Sequence, residues 1–297
     1  MKRTVDPAPD PASSAIPPKP RDAELDVFGC THTGKVRAVN EDHFLIASLH
    51  KTMRVRATSL PNPELLEVPS ERLALLMLVA DGVGGARAGE LASRAAAESV
   101  ASFVTETMQC YYRSDPSNEK AFVESLQAAA AACQQSVLER ARANPDLRGM
   151  ATTLTLGLGV WPRLYLLQVG DSRAYQLLDG KLARLTRDQT VAQDLADTGV
   201  LNPADVARSP LSHVLSSAIG ADSRPVVTSV RLNPRVTTFL CTDGLTKHLS
   251  EDHIRDRLMT VASAEVACRQ LVDDALEAGG SDNITVVCVR VRADAQA

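Results

Sequence analysis

The segment from Leu73 to Glu90, LALLMLVADGVGGARAGE, has an apolar run of strand length that stops at Asp81 and leads through glycines into an alanine-rich pattern. Such a run is typical of a buried β-strand, so Asp81 is predicted to lie in the turn after it. The same arrangement recurs along the chain: Asp171 follows LYLLQVG, Asp243 follows the run TTFLC, and Asp282 precedes ITVVCV.

These four aspartates are predicted to form one acidic metal site. Strands of a single sandwich can bring their ends together, and carboxylates gathered in one place repel one another unless cations lie between them. Ligands that are all oxygen indicate Mg²⁺ or Mn²⁺. Asp-Gly and Asp-Asn are ordinary turn dipeptides when each is taken alone. Four aspartates at matching strand ends favour the metal site.

A second group of candidates lies in the segment RAVNEDHF, just before a strand-like run. Arg37 is interpreted as a phosphate clamp, because a guanidinium matches the geometry of phosphate oxygens. A surface ion pair with Glu41 or Asp42 is the alternative for this arginine. Glu41 and Asp42 are expected to hold metal-bound waters. Gly82, which has no side chain, would allow its carbonyl to approach a cation.

Blocks of helices and strands fill the rest of the chain. Helical patterns at about Gly89 to Met108 and Asn118 to Ala143 precede the runs TTLTLGLGV, LYLLQVG, RAYQLL and KLARLT, whose spacing predicts an antiparallel meander. A polar segment from Asp188 to Ser223 precedes the strand pair VVTSVRL and VTTFLC. Helices at Glu251 to Thr260 and Ala264 to Ala278 come before the last strand. This block arrangement predicts an α+β fold.

Two segments carry little apolar periodicity. Residues 1–20 are rich in Pro and Ser and are predicted to be a disordered leader, which leaves 21–297 as one domain. The segment from Lys51 to Arg72 is predicted to be an extended loop between two strands, because it combines prolines with mixed charge.

Composition limits the class of protein. The 297 residues are 44% hydrophobic and carry a formal net charge of −4, so no basic surface for nucleic acid is expected. No apolar stretch reaches the roughly 18 to 20 residues of a membrane span, and the first residues lack a secretory apolar core. A cytoplasmic protein without a membrane partner is predicted. The cysteines show no metal-site spacing and are expected to be reduced packing residues: Cys30, Cys110, Cys133, Cys241, Cys268 and Cys288.

A series of short motifs gives a more specific indication: RxxNED, DGVGGxxxGExAS, ATTL, GDSRAY, LTRDQT, CTDGL and SDNIT follow one another along the chain. In kind and order they resemble the motifs of the metal-dependent protein phosphatases of the PPM class, the type 2C serine/threonine phosphatases, and bacterial members in particular. The resemblance covers about Leu25 to Val291. It implies a four-layer αββα sandwich, in which two antiparallel sheets are flanked by helix pairs.

The resemblance also implies roles for the acidic residues. By their positions in the motifs, Asp81 would bridge two metal ions, the carbonyl of Gly82 would bind one of them, and Asp243 and Asp282 would hold the other.

Further roles come from the same resemblance. Bacterial members often hold a third metal ion that is bound more weakly. The resemblance indicates Asp171 as a ligand of this ion, together with Asp243, which is also a ligand in the first pair of sites. Arg37 would bind the substrate phosphate. Residues 188–223 correspond to the flap, a segment thought to contact substrate in this family.

Two positions depart from the family pattern. Val83 replaces a histidine that animal members carry and that is proposed as the general acid, and Gln189 replaces the histidine of LTRDHS. Neither position is a direct metal ligand, so activity is still expected, but the source of the leaving-group proton is open. His43 is a candidate acid, although a lone histidine at the start of a strand is more typical of a structural role.

The resulting prediction is hydrolysis of phosphoserine and phosphothreonine in proteins by a metal-activated water, with Arg37, Asp81 and Asp243 as catalytic residues and two or three Mg²⁺ or Mn²⁺ ions. The expected partners are phosphorylated proteins and a cognate Ser/Thr kinase, and the chain is expected to be a monomer. Two alternatives share the fold. A catalytically weak phosphoprotein-binding domain would be favoured by a lost metal ligand, and none is lost; a small-molecule phosphomonoesterase would differ in what the flap admits.

Overall fold

The computed structural model describes residues 17–53, 68–106 and 119–292. Its strands are β1 (Leu25–His32), β2 (Asp42–Met53), β3 (Val68–Val83), β4 (Ala151–Thr152), β5 (Leu154–Val160), β6 (Arg163–Val169), β7 (Arg173–Leu178), β8 (Lys181–Arg184), β9 (Val226–Arg231), β10 (Thr237–Cys241) and β11 (Ile284–Val291). Its α-helices are α1 (Ala86–Glu106), α2 (Glu119–Ala143), α3 (Val191–Asp197), α4 (Asp243–Thr246), α5 (Glu251–Thr260) and α6 (Ala264–Glu277).

The strands form two antiparallel sheets. One has the order β1-β11-β10-β7-β8, and the other has the order β2-β3-β5-β6-β9, with β4 paired to β3. One apolar core lies between the sheets, a second lies between the β3 sheet and helices α1 and α2, and a third lies between the β11 sheet and helices α5 and α6. The predicted α+β fold and its four αββα layers are therefore confirmed.

Strand β3 shows why the apolar run in Leu73 to Ala80 is continuous. Leu76 and Leu78 pack toward the α1 and α2 side, whereas Met77 and Val79 pack toward the second sheet. Successive side chains of a strand point to opposite faces. A strand that is covered on both faces therefore needs apolar residues at every position rather than at alternate ones.

The predicted meander is wrong. β5 pairs with β6 in one sheet and β7 pairs with β8 in the other, so the chain crosses between the sheets at residues 170–172. Gly170 makes this crossover with a φ of +103°, and a Cβ there would lie 2.6 Å from the Thr153 Cγ2. β9 and β10, predicted as a pair, also lie in different sheets. An alternating pattern indicates a strand but does not specify its neighbour.

The predicted loop from Lys51 to Arg72 is shorter than expected. Strand β2 continues to Met53 and β3 begins at Val68, and residues 54–67 lie outside the described part of the chain. The predicted helix ends at Met108 and Asn118 also lie outside the described residues. Because β2 and β3 pair with each other, both strands extend into the polar segment that was predicted to be a loop.

The end of the predicted leader contacts the domain. Residues 1–16 lie outside the described residues, but the Trp161 Nε1–H donates to the Pro17 carbonyl at 2.9 Å, and the Arg72 Nη2 donates to the Pro20 carbonyl at 2.6 Å. The Arg72 side chain is only 8% exposed. Within the described residues, Pro17 and Pro20 of the predicted leader therefore contact the domain.

Two smaller predictions concern membrane spans and thiols. Among the helices of the described ranges, none combines the length and the apolar character that crossing a membrane requires. The described cysteines are free thiols, of which Cys30 is half-buried and the others are buried: Cys133, Cys241, Cys268 and Cys288. Cys110 lies outside the described residues.

Candidate metal centre

The strand ends meet at one cleft, with a volume of about 460 Å³. Asp81 lies near the end of β3, Asp171 lies in the crossover after β6, Asp243 begins α4 directly behind β10, and Asp282 comes just before β11. The lining of the cleft includes most of the predicted site residues, but not Asp42: Arg37, Glu41, Asp81, Gly82, Asp171, Asp243 and Asp282.

Backbone hydrogen bonds hold Asp81 in place. The Asp81 N–H donates to the Thr153 Oγ1 at 3.0 Å, and the Asp81 carbonyl accepts from the Thr153 N–H at 2.8 Å and from the Thr152 Oγ1–H at 2.9 Å. Both backbone polar groups of Asp81 are therefore satisfied without its carboxylate. These threonines belong to the motif ATTL, for which the sequence alone indicated no role.

The carboxylates raise one another's pKa values. Burial, and then the charges of Asp42 and Asp243, raise the pKa of Asp81 well above its ordinary value. Burial, followed by the Asp243 and Asp188 charges, does the same for the pKa of Asp171. Burial raises the pKa of Asp42 to about 7, even though the Thr242 Oγ1–H donates to it at 2.8 Å. Mutual effects of this kind show that the acidic groups face one site.

Three buried carboxylate oxygens find no hydrogen-bond donor in the described part of the chain: the Glu41 Oε1, the Asp42 Oδ1 and the Asp243 Oδ1. A buried acceptor without a donor costs free energy unless some other positive group meets it. Unpaired carboxylate oxygens beside Asp81 are the ligand type that Mg²⁺ and Mn²⁺ prefer. The residues of the cleft therefore fit a divalent metal.

Asp282 is held by two cationic side chains. The Arg37 Nε and Nη2 donate to it at 2.7 and 2.9 Å, and the Lys247 Nζ donates to it at 2.6 Å. Burial acts to raise the pKa of Asp282, but the hydrogen bonds from Arg37 and Lys247 outweigh it, so this pKa lies below its ordinary value. Arg37 is thus paired with a predicted metal ligand rather than with Glu41 or Asp42, the partners considered from the sequence.

Sequence reasoning missed Lys247. Its Nζ also lies 2.7 Å from the Asp243 Oδ2. Burial acts to lower the pKa of Lys247, but attraction to Asp243 and hydrogen bonds with Asp243 and Asp282 raise it above its ordinary value. The signal available in the sequence was the spacing of four residues from Asp243, because an acid and a base at i and i+4 are neighbours on a helix.

The acidic groups surround the cleft but are not drawn together into one tight cluster. In ranges 17–53, 68–106 and 119–292, no three carboxylate, imidazole or thiolate groups are close enough to hold one ion as they stand. Two reasons are visible: the carboxylates repel one another, and Asp243 and Asp282 are engaged by side-chain cations. A metal at this pair has to compete with those cations.

The loop that carries Arg37 is tied to the cleft by Asn283. The Asn283 Oδ1 accepts from the Glu41 N–H at 2.8 Å, and its Nδ2 donates to the carbonyls of Thr33 and Val39 at 2.8 and 3.0 Å. These bonds fix the segment before β2 against Asp282. The role of this residue in the motif SDNIT is therefore to position the loop, which the sequence did not show.

Gly82 is at a position where no side chain fits. A Cβ there would lie 2.2 Å from the Gly89 carbonyl oxygen in the first turns of α1. The Gly82 N–H donates to the Glu41 carbonyl at 3.2 Å. The end of β3, the start of α1 and the segment that contains Glu41 therefore approach one another closely, and Glu41 lies beside the end of β3.

The structure locates the residues that depart from the family motifs and the histidines near the cleft. Val83 is 42% exposed at the cleft. Gln189 accepts from the Gly170 N–H at 2.7 Å and donates to the Arg224 carbonyl at 2.9 Å, so it braces the crossover that carries Asp171. His43 contacts the Ser93 Oγ at 3.0 Å. His213, from the predicted flap, is the imidazole that lines the cleft among the described residues.

Comparison with known proteins adds a family match. The family model described as protein phosphatase 2C matches residues 64–278. The serine/threonine protein phosphatase PstP of Mycobacterium tuberculosis is 35% identical over 219 residues, which are 73% of this chain and 40% of that protein. The serine/threonine phosphatase stp of Listeria welshimeri is 30% identical over 224 residues, which are 72% of this chain and 83% of that protein. The chain thus spans less than half the length of the mycobacterial relative.

Solved structures give the same picture. A crystal structure of Mycobacterium tuberculosis PstP matches with a TM-score of 0.72 and 29% identity, over 90% of this chain and 99% of that one. A structure of the PstP catalytic domain in complex with two manganese ions matches with a TM-score of 0.69 and 29% identity, over 90% and 98% of the two chains.

Proposed function

The chain belongs to the protein phosphatase 2C family, and on this basis we propose that it is a metal-dependent phosphatase that hydrolyses phosphoserine and phosphothreonine in proteins. The observation that carries the proposal is the acidic cleft, in which buried carboxylate oxygens that have no donor among the described residues lie beside an arginine. The manganese ions in the related PstP structure support the choice of a divalent cofactor.

Mg²⁺ or Mn²⁺ suits the all-oxygen ligand set, with two ions and a weaker third. When bound, the ions supply positive charge that activates a water and stabilises the charged oxygens of the phosphate. One ion would be held by Asp81 and the Gly82 carbonyl, with Glu41 acting through a water; the second by Asp81, Asp243 and Asp282; and the third by Asp171 and Asp243.

Arg37 is the proposed phosphate-binding residue. Its guanidinium already presents two donors to the Asp282 carboxylate, and this paired arrangement also matches two oxygens of a phosphate. The side chain is 49% exposed at the cleft, so it can reach a substrate once Asp282 is engaged by a metal. Arg37 would orient the phosphate and balance its charge.

The surroundings of the cleft favour a polypeptide substrate over a small anion. Val36, Val39 and Val83 line the cleft and are 71%, 40% and 42% exposed. His213 and Leu215 of the flap lie on the lining as well. A peptide that follows a phosphorylated residue can cover these apolar side chains, whereas a small phosphate ester leaves them in water.

We further propose a cytoplasmic monomer whose substrates are phosphorylated by a Ser/Thr kinase. The free thiols of the described cysteines support a reducing compartment. The formal net charge of −4 supports a protein partner rather than nucleic acid.

The direct test is release of phosphate from phosphoserine and phosphothreonine peptides, with and without Mn²⁺. We expect hydrolysis that requires the metal and stops with EDTA, and that is lost in Asp81→Asn. Hydrolysis of small aryl phosphates without any of the peptides would instead indicate a phosphomonoesterase. Peptide binding without turnover would indicate a binding domain.

A further inference from the structure

Lys247 connects the two aspartates that are proposed to share one metal ion. Its Nζ lies 2.7 Å from the Asp243 Oδ2 and 2.6 Å from the Asp282 Oδ2. The side chain is only 23% exposed. Lysine is ordinarily a cation at neutral pH, with a pKa of about 10.4. A compact positive charge is therefore placed between two carboxylates that a divalent ion would also use.

The position of this lysine is fixed by the fold. Asp243 starts the short helix α4, and the Lys247 N–H donates to the Asp243 carbonyl at 2.8 Å, one turn later. The helix is pressed against the strand that follows Asp282, because a Cβ on Gly244 would lie 1.9 Å from the Asn283 carbonyl oxygen. This close packing at Gly244 holds the helix in place, so the flexible side chain of Lys247 is the part expected to leave the pair.

An ammonium and a metal ion that use the same two carboxylates would compete for them. The Asp243 Oδ2 and the Asp282 Oδ2 each accept from the ammonium, and the remaining buried oxygen of Asp243 has no donor in the described residues. Two cations that compete for the same oxygens repel each other, so binding of one weakens binding of the other.

We propose that Lys247 is a built-in competitor for the metal ion shared by Asp243 and Asp282, and that the ion occupies this pair only by displacing the ammonium. The inference rests on the proposed metal-dependent function. Competition from Lys247 lowers the metal affinity of this pair of carboxylates. Metal occupancy of the pair then depends more strongly on the concentration of divalent ions. Asp282 accepts from both Lys247 and Arg37. A metal ion that binds Asp282 would therefore release Arg37 from this carboxylate as well as Lys247.

Calorimetric titration of the full chain with Mn²⁺ tests the proposal. Lys247→Gln should bind Mn²⁺ at this pair roughly tenfold or more tightly than wild type, because hydrogen-bonded charge pairs contribute on this scale. Lys247→Arg should stay close to wild type, since it keeps the competing charge. Lys181→Gln, which removes the same charge from an exposed position of β8, is the matched control and should not change the affinity.

A second measurement uses the unmodified protein. Mn²⁺ should increase acylation of Lys247 by an amine-specific reagent, measured by mass spectrometry, because the displaced side chain enters solvent. Equal Mn²⁺ affinities for wild type and Lys247→Gln, or acylation that Mn²⁺ leaves unchanged, would overturn this inference alone. Failure of both proteins to bind Mn²⁺ would overturn the proposed function together with it.

Discussion

Asp42 and Asp81 are direct cross-strand partners on β2 and β3. Asp42 is only 3% exposed, and one of its oxygens has no donor within the described residues. Paired carboxylates on neighbouring strands are destabilising when both are ionised. The carboxylates of the cleft therefore repel one another when they are ionised. A bound cation reduces this repulsion, and without a cation protonation reduces it.

This repulsion predicts the pH dependence of stability without metal. Asp42, Asp81 and Asp171 have raised pKa values, so the folded chain binds their protons more tightly than the unfolded chain. Their contribution is fully present below the unfolded pKa of about 4 and is lost as pH rises, through about 7 for Asp42. Asp282, with a lowered pKa, acts in the opposite direction. With EDTA, the melting temperature should fall between pH 5 and pH 8.

Two comparisons check that prediction. Asp42→Asn should flatten the decline, because it removes one titrating group from the pair. Saturating Mn²⁺ should reverse the sign of the slope, since metal binding requires the ionised carboxylates. A melting temperature that rises with pH in EDTA would contradict the raised pKa values.

The variants Asp81→Asn and Asp243→Asn should both lose activity, but they should differ from each other in stability. Each removes a proposed metal ligand, so turnover should fall by orders of magnitude in both. In EDTA, Asp81→Asn should melt no lower than wild type, because it relieves repulsion. Asp243→Asn should melt lower than Asp81→Asn, because Lys247 loses a charged partner. Near wild-type turnover of either variant at saturating Mn²⁺ would show that the metal assignment is wrong.

Asp171→Ala should separate a third metal from the other two. Asp171 lies on the crossover between the sheets and outside the ligand set proposed for the two tighter ions. We expect two tight Mn²⁺ sites to persist while turnover falls. Calorimetric titration measures this directly, and loss of a tight site would place Asp171 among the primary ligands.

The sequence predicted the residues of the cleft better than the contacts between them. Asp81 and Asp243 stand out because each interrupts an apolar run, and that signal is local. The ion pair between Lys247 and Asp282 depends on the short helix α4 packing against the start of β11, which no local pattern records. The two crossovers were missed for the same reason: strand pairing is decided by contacts distant in sequence.

Two truncations should locate the start of the stable domain. A chain that begins at Pro17 should melt like the full chain, because residues 1–16 have little apolar periodicity. A chain that begins at Arg21 loses the carbonyls that accept from Trp161 and Arg72. Leaving a buried donor unpaired costs about 1–3 kcal/mol, so its melting temperature should drop by several degrees. Equal melting temperatures for the two truncated chains would support the predicted boundary at residue 21.

The last prediction concerns the proton of the leaving group. Val83 has no titratable side chain, and His43 contacts Ser93, so neither supplies an acid to the cleft. A leaving oxygen without a positioned acid departs at a cost that rises with its pKa. The rate should therefore decline steeply with leaving-group pKa across a series of aryl phosphates at saturating Mn²⁺, and His43→Ala should leave that slope unchanged.

His213 provides the sharper comparison, because it lines the cleft from the flap. If the leaving group departs unassisted, His213→Ala should change the rate without changing the slope, and the pH profile should show no fall in rate at high pH from deprotonation of an imidazole acid. A slope that steepens in His213→Ala but not in His43→Ala would identify His213 as the proton donor. A nearly flat dependence in the wild type would likewise show that an acid operates. Peptide substrates, with alkoxide leaving groups, would then depend on the flap for proton transfer as well as for binding.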